Sequence, residues 1–392
     1  MDQAKKILFV VDTLAQHGAE RYLYEILKAI DRTKFECSVI CTYPLDDSNN
    51  YYVPLISDLG IEITDFQLGD LHPEVDSKIK RKVLNSLSYR WMNFTGRKGE
   101  IKKRSEAQLQ KRLEGFDLLS IIKIEVFNRF SDVFVSIPNL VIHLLSINIQ
   151  YLENPYLNLP DRPYRFVTMI ENQKEHVCET AFEHITEPNI DFFQFPLILD
   201  LSDRKNNYKS TTENPIIGVF SRINYDQPTI MFLFAFQLLL KRIPKAKMYF
   251  YGKSMTDQFL QFYTQTAQIL GISHALEFKG HVPDLKTSIE TDKITMGWMN
   301  IGNSTLGYSS IEISSYGLPV TFFNIDKHDP SKIDERLNVF NDLESFVECS
   351  SEVISSQERL QIESEKIHDF IQTEHNAKKN IQALENYFLQ SM

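Results

Sequence analysis

ILFVVDTLAQHGAERYLYEILKAI, residues 7–30, is the stretch whose reading sets the fold. Its first five residues are a continuous apolar run, the signature of a strand buried on both faces. A polar loop, DTLAQHG, follows. Beyond it Leu23, Ile26, Leu27 and Ile30 recur at helical spacing. Two further strand-like runs come next, FECSVICTY (35–43) and GIEITDF (60–66). Strand, helix and strand in that order make a βαβ unit, and a βαβ unit implies a parallel sheet.

The same grammar restarts in the second half. PIIGVFSRI (215–223) reads as a buried strand, and TIMFLFAFQLLLKRI as the helix after it. AKMYFYG (246–252), LEFKGH (276–281), ITMGWM (294–299) and PVTFFN (319–324) read as further strands, with QFLQFYTQTAQILG as a helix among them. Between the halves, DLSDRKNNYKSTTENP (200–215) is polar, ends in proline and reads as a linker. The expected fold class is α/β: two Rossmann-like, doubly wound domains of similar size facing a cleft. In such sheets ligands bind beyond the carboxyl ends of the strands.

Bulk properties narrow the function. At 392 residues there is material for two cores, and 43% apolar content excludes a disordered chain. The net charge of −10 argues against a nucleic-acid partner. Cys37, Cys41, Cys178 and Cys349 show neither C-x-x-C spacing nor an accompanying His cluster, so no disulfide framework or zinc site is expected. The five apolar residues of ILFVV are too few for a signal-peptide core, and the run IMFLFAFQLLL (230–240) is too short to span a bilayer. A cytoplasmic protein is the expectation.

One segment departs from this pattern. Residues 78–112 hold twelve Lys/Arg against two Glu, a net of +10 within a chain of −10, with Tyr89, Trp91 and Phe94 interleaved. Two readings stand side by side: a solvated helical pair inserted in the first domain, or a patch for anionic lipid headgroups or a polyanionic acceptor.

The chemistry is sought in GNSTLGYSSIEISSYGLPV (302–320). Ser309 to Tyr316 makes two helical turns, Gly317 fits a left-handed terminus and Pro319 follows as a stop. Ser309-Ser310-Ile311-Glu312 also fits a capping box, with Glu312 reaching back to the Ser309 N–H. The functional reading differs. A helix entrance at Gly307, Tyr308, Ser309 and Ser310 exposes free N–H groups at a positive dipole end, a site for a diphosphate. The carboxylate of Glu312, one turn in, is suited to accept hydrogen bonds from a ribose diol.

In motif order the chain resembles the GT-B glycosyltransferases, family 4 in particular. Over residues 1–45 the opening strand, loop and HGAER helix are similar to that family's. Over 215–325 the similarity lies in SRINYD, FKGHVPDL and Glu312 followed by GLPV. Residues 70–165 are not matched. The resemblance implies that Glu312 holds the donor ribose, that Arg222 binds the diphosphate and that the loop of His281 lies beside the nucleobase. The family's E-x7-E pattern would place its first Glu at Ser304, next to Asn303, and its usual Lys at Gln227. The losses suggest either another donor sugar, hydrogen-bonded by Asn303 and Ser304, or a degenerate copy. Lys253 is a candidate replacement cation.

His17, in the first loop, and Glu171, where the family often has a His, are the candidate catalytic residues. Each has a structural alternative, an exposed loop His and a helix-terminal carboxylate. Gly18, Ala19 and Glu20 form the loop expected on the acceptor side. No D-x-D motif sits at a suitable strand end, so metal-independent transfer is expected, with no cofactor, since the nucleotide-sugar is itself a substrate.

The resemblance implies a hexosyl- or N-acetylhexosaminyltransferase. It would move a sugar from a UDP-sugar to a lipid-linked or polysaccharide acceptor in cell-envelope glycan synthesis, in the cytoplasm or at the inner face of the membrane. The alternative is a GT-B-like subunit that has lost turnover and supports an active partner. The expected boundaries are 1–200 for the acceptor domain, with a basic insert at about 70–115, and 201–375 for the donor domain. A C-terminal helix at 376–392 is expected, with a return to the first domain as one course open to it.

Overall fold

The computed structural model describes residues 3–43, 45–46, 50–66, 75, 77–95, 98–145, 162–169, 189–202, 204, 212–223, 230–302, 306–324 and 333–392. The chain divides into two compact units. The first comprises Met1–Ile198 with Ala377–Met392, and the second Leu199–Asn376.

The first unit is built on seven strands: β1 (Lys5–Val11), β2 (Phe35–Cys41), β3 (Glu62–Asp65), β4 (Leu118–Ile122), β5 (Leu140–Leu144), β6 (Tyr164–Thr168) and β7 (Ile190–Gln194). All neighbours are parallel, in the order β3-β2-β1-β4-β5-β6-β7. Ile7, Phe9, Val10 and Val11 are fully buried, as the apolar run requires of a strand covered on both faces. The helix after β1, α1 (Gly18–Ala29), buries Tyr22, Leu23, Ile26 and Leu27 completely. Around the sheet follow α2 (Tyr52–Ser57), α3 (Lys78–Phe94), α4 (Lys98–Leu113), α5 (Ile124–Arg129) and α6 (Ser131–Phe134).

The second unit repeats the plan. Its strands are β8 (Ile216–Phe220), β9 (Lys247–Tyr251), β10 (Leu276–Gly280), β11 (Met296–Ile301), β12 (Val320–Asn324) and β13 (Asn338–Phe340). Their order is β10-β9-β8-β11-β12-β13, again all parallel. The helices are α7 (Ile230–Arg242), α8 (Asp257–Ile269), α9 (Leu285–Asp292), α10 (Tyr308–Ser315), α11 (Leu343–Ile354) and α12 (Gln357–Glu374). In each sheet the second and third strands lie to one side of the first, and the fourth and fifth to the other. That reversal opens a crevice at the carboxyl edge, between β1 and β4 in one unit and between β8 and β11 in the other.

The last helix, α13 (Ala377–Gln390), packs within the first unit. Phe388 meets Phe9 edge-on at 6.2 Å, and Glu385 accepts from the Asp31 N–H at 2.8 Å and from Lys34 Nζ at 3.0 Å.

Inside the first unit a polar chain crosses the core. His143 on β5 lies 2.9 Å from the Tyr22 hydroxyl through Nδ1 and 2.8 Å from Ser120 Oγ through Nε2. His143 is fully buried, with the Phe388 ring against it, and desolvation pushes its pKa from 6.5 to about 3. The folded state therefore refuses a proton that the unfolded chain accepts below pH 6.5. This contribution to stability is complete above pH 6.5 and is lost as pH falls toward 3, by about 1.4 kcal/mol per pH unit. Urea midpoints measured between pH 7 and pH 4 are expected to fall more steeply in the wild type than in His143→Gln. Parallel slopes would show that His143 is not the group responsible.

Candidate nucleotide site

In the second unit β8 runs out through Ser221 and Arg222, and β11 through Gly302, on either side of the crevice. The loops after β8, β9 and β10 are tied edge to edge. The Ile223 N–H donates to Lys253 O at 3.3 Å, the Met255 N–H to Ile223 O at 3.1 Å, and the Gly252 N–H to Gly280 O at 2.8 Å. This stitching places Arg222, Lys253 and His281 along one edge of the sheet, all three exposed. A bulge between Phe278 and Gly280, with Gly280 at φ +71°, ends the pairing of β10 just before His281.

Gly252 makes that seam possible. A Cβ at this position would stand 2.0 Å from the Ser221 carbonyl oxygen and 3.0 Å from the Arg222 nitrogen. Only glycine lets the two backbones approach this closely.

Beyond β11, α10 opens at Gly307, an extended N-cap with no side-chain hydrogen bond, whose missing Cβ would meet nothing within 4 Å. The positive dipole end of the helix lies at this glycine, and no atom of the described residues crowds the space a Cβ would take. Because the helix begins at Gly307, Ser309 stands inside the first turn and is not the N-cap. The capping box around Ser309 is therefore not the arrangement adopted. Tyr308 and Ser310 are buried, Ser310 to 2% exposure, and Ser309 keeps more surface. Ser310 can thus serve a ligand mainly through its main chain. At the far end Gly317 takes φ +79°, its N–H donates to Ser314 O at 2.9 Å, and the Leu318 N–H donates to Ile313 O at 3.4 Å. This is the Schellman ending expected of S-Y-G-L-P.

Glu312 lies one turn into α10. Arg204 Nη2 approaches its Oε1 to 3.7 Å, while Arg204 Nη1 donates to Ser315 Oγ at 2.7 Å and the guanidinium stacks 4.6 Å from the Tyr316 ring centre. Both partners of the ion pair are mostly buried, at 16% and 17% side-chain exposure, so the pair orients the carboxylate. His368 adds a contact to Ser315 O at 3.1 Å, and burial lowers its pKa. Arg204 was beyond the reach of sequence reading. It sits in the polar stretch taken as a linker, and only the fold brings it beside Glu312.

The carboxyl edge of the first unit holds a second charged group. Arg129 Nη1 donates to Asp12 Oδ1 at 2.8 Å and to Thr42 Oγ1 at 3.1 Å, with its guanidinium 4.4 Å from the Tyr43 ring centre. Glu20, 1% exposed, accepts from Lys123 Nζ and from Thr13 Oγ1, both at 3.1 Å, through Oε1. His17 is the exposed N-cap of α1, Gly18 is exposed and Ala19 is half-buried. Glu20 is thus bound into the fold, while Gln16, His17 and Gly18 face solvent. Glu171, Asn303 and Ser304, with Gln227 and Cys178, lie outside the described residues.

No family model matches the chain, and no curated protein matches it in sequence. Solved structures match it over nearly their whole length. HepE of Anabaena in complex with UDP and glucose superposes with a TM-score of 0.68 at 14% identity, over 99% of this chain and 100% of that one. A glycosyltransferase from Rickettsia africae gives 0.65 at 13% identity, covering 100% and 99%. Sucrose-phosphate synthase from Thermosynechococcus elongatus gives 0.66 at 10% identity, covering 98% and 99%. The chain therefore has the GT-B fold of glycosyltransferases. At these identities the likeness establishes the architecture, and the chemistry has to be argued from the residues.

Proposed function

We propose that this chain transfers a sugar from a nucleotide-sugar, a UDP-sugar, to a lipid-linked or polysaccharide acceptor in cell-envelope glycan synthesis, as a hexosyl- or N-acetylhexosaminyltransferase that needs no metal ion. The observation that carries the reading is one constellation in the second unit. A helix N-terminus begins at Gly307, with no atom of the described residues within 4 Å of where its Cβ would stand, Glu312 follows one turn in, and Arg222 stands at the neighbouring strand end across the crevice. HepE, whose fold this chain shares, has been solved with UDP, with UDP-glucose and with UDP and glucose. A lipopolysaccharide outer core galactosyltransferase, WaaB, also shares the fold, with a TM-score of 0.59.

In this mechanism the diphosphate sits over the first turn of α10. There the N–H groups and Arg222 stabilise the negative charge that grows as the bond to the sugar breaks, each such donor contributing about 3 kcal/mol. Glu312, held by Arg204, accepts hydrogen bonds from the ribose hydroxyls. His281 and Lys253 border the nucleotide, and Asn303 and Ser304 meet the sugar. The acceptor belongs to the first unit, with the loop of His17, Gly18, Ala19 and Glu20, and with His17 or Glu171 as base. The protein works in the cytoplasm or at the inner face of the membrane. Among the described residues no helix is long and apolar enough to cross a bilayer.

The second reading is a GT-B-like subunit that binds but does not turn over. Ser304 and Gln227, where the family has Glu and Lys, favour it.

Thermal unfolding with a panel of sugar nucleotides tests both. A ligand at a hundred times its Kd adds about 2.7 kcal/mol of stability. UDP is expected to stabilise the wild type, and Glu312→Ala to weaken UDP ten- to a hundredfold, the loss of about 1.5–3 kcal/mol of hydrogen bonding to a charged group. Stabilisation without transfer or donor hydrolysis would establish the second reading. No stabilisation by any nucleotide would remove both.

A further inference from the structure

The basic segment does more than sit in solvent. Ile79, Val83, Leu84, Leu87, Trp91 and Phe94 of α3 are exposed, from 38% at Leu84 to 87% at Phe94. At about 100° per residue these six positions fall within an arc of roughly 140° on one side of the helix. Met92, 6% exposed, lies on the opposite side. An amphipathic helix of a globular protein normally turns its apolar face to the core, and α3 turns its own outward. The neighbouring α4 anchors the pair, because Leu109 and Leu113 are buried in the core of the first unit.

We propose that the outward face of α3 lies in the surface of a membrane rich in anionic lipid and docks the first unit there. This goes beyond the nucleotide reading and does not depend on it. Two properties of the face fix the occupant. Six of the eight positions in that arc are aliphatic or aromatic, along about 25 Å of helix, an area that acyl chains can cover and a polyanion cannot, and the other two are Lys80 and Arg90. Cations lie on the face and around it, with Lys80 and Arg90 inside the arc, Lys82 outside it on α3, and Lys103 and Lys111 exposed on α4, all long side chains able to snorkel toward headgroup phosphates. The segment carries +10 within a chain of −10, so the remaining residues together carry −20. An anionic bilayer attracts this one segment and repels the bulk of the chain, which orients the molecule as well as holding it. Trp91 and Phe94, toward the carboxyl end of α3, are the side chains best suited to the headgroup level.

The tryptophans give a direct reading. The chain has two. Trp298 is fully buried and donates to Ser350 Oγ at 3.0 Å, while Trp91 is 66% exposed. The full chain is mixed with vesicles of phosphatidylcholine, alone or with about one-third phosphatidylglycerol. On the anionic vesicles we expect a blue shift of Trp91 emission and co-sedimentation at least tenfold stronger than on the neutral ones, weakening as salt rises. The triple variant Val83→Ser, Leu87→Ser, Trp91→Ser is expected to sediment more than tenfold less, and Lys80→Glu with Lys82→Glu to do the same. Both should melt with the wild type, since these side chains are exposed.

Absence of binding to the anionic vesicles overturns the proposal. So does binding that the charge reversals abolish and the apolar substitutions leave intact, which would mark a site for a soluble polyanion. A wild-type dimer dispersed by the triple variant, without vesicle binding, would assign the face to a second copy of the chain and likewise overturn it.

Discussion

Gly252→Ala is expected to abolish stabilisation by UDP and to destabilise the second unit by about 3 kcal/mol, at the upper end of the cost of overpacking a close contact. The new methyl carbon would stand 2.0 Å from the Ser221 carbonyl oxygen, so the backbones have to part. They cannot part freely. Ile223 N to Lys253 O and Met255 N to Ile223 O hold the same two loops together, and separation breaks or stretches both bonds. Arg222 rides on the displaced loop, so the proposed diphosphate site is expected to be lost along with the stability. The measurement is a thermal melt of wild type and variant, each with and without UDP. If the alanine protein melts with the wild type and still gains stability from UDP, the seam is not what positions Arg222. If it loses stability but keeps the gain from UDP, the seam supports the fold alone.

Lys123→Met is the second large effect, and it concerns the first unit. Glu20 is 1% exposed, Lys123 supplies its cation, and the Oε2 atom is buried with no hydrogen-bond partner among the described residues. Removing the lysine leaves a carboxylate in the core with Thr13 as its remaining side-chain donor among the described residues. Breaking a buried pair in this way costs about 3–5 kcal/mol, because an uncompensated charge remains. Lys123 also holds φ at +82°, a conformation rare for a side chain of its kind. The chain thus accepts local strain at the residue that neutralises Glu20. Adding Glu20→Gln to Lys123→Met removes the stranded charge and is expected to recover most of the loss. Urea unfolding of the two single variants and the double variant gives the coupling. Additive losses would mean that the pair contributes nothing beyond its separate parts.

The sheet plan was legible wherever a strand was an unbroken apolar run. ILFVV and IIGVF are such runs, since a strand covered by helices on both faces has no polar position to spare. Gly317 was legible for a similar local reason, because the C′ residue of a Schellman ending needs a positive φ. The segments LLSII, LVIHL and IDFFQ, now β4, β5 and β7, gave a weaker signal. They are five residues long, and Ser120, His143 and Asp191 interrupt them. Ser120 and His143 are tolerated because each completes the other's hydrogen bonding in the core, a pairing no local pattern announces. The sequence reading starts α10 at Ser309, one residue after its first helical residue Tyr308, for a related reason. Ser309 has the chemistry of an N-cap, but the backbone already turns helical after Gly307.

At the site the division falls along the same line. Arg222, Gly307 and Glu312 could be named from short patterns, because a strand end, a glycine-led helix entrance and a carboxylate one turn in are features of a few consecutive residues. Arg204 beside Glu312, Gly252 against Ser221, Lys123 beside Glu20 and the outward turn of the apolar face of α3 could not. By itself the sequence determined that the chain makes two parallel α/β units and that a short helix closed by Gly317 precedes the strand of VTFFN, since hydrophobic periodicity and turn chemistry act over neighbours in the chain. The tertiary structure alone decided which charges meet and which apolar face stays uncovered. Such contacts depend on strand order and close approach in space, and those are fixed only when the whole chain packs.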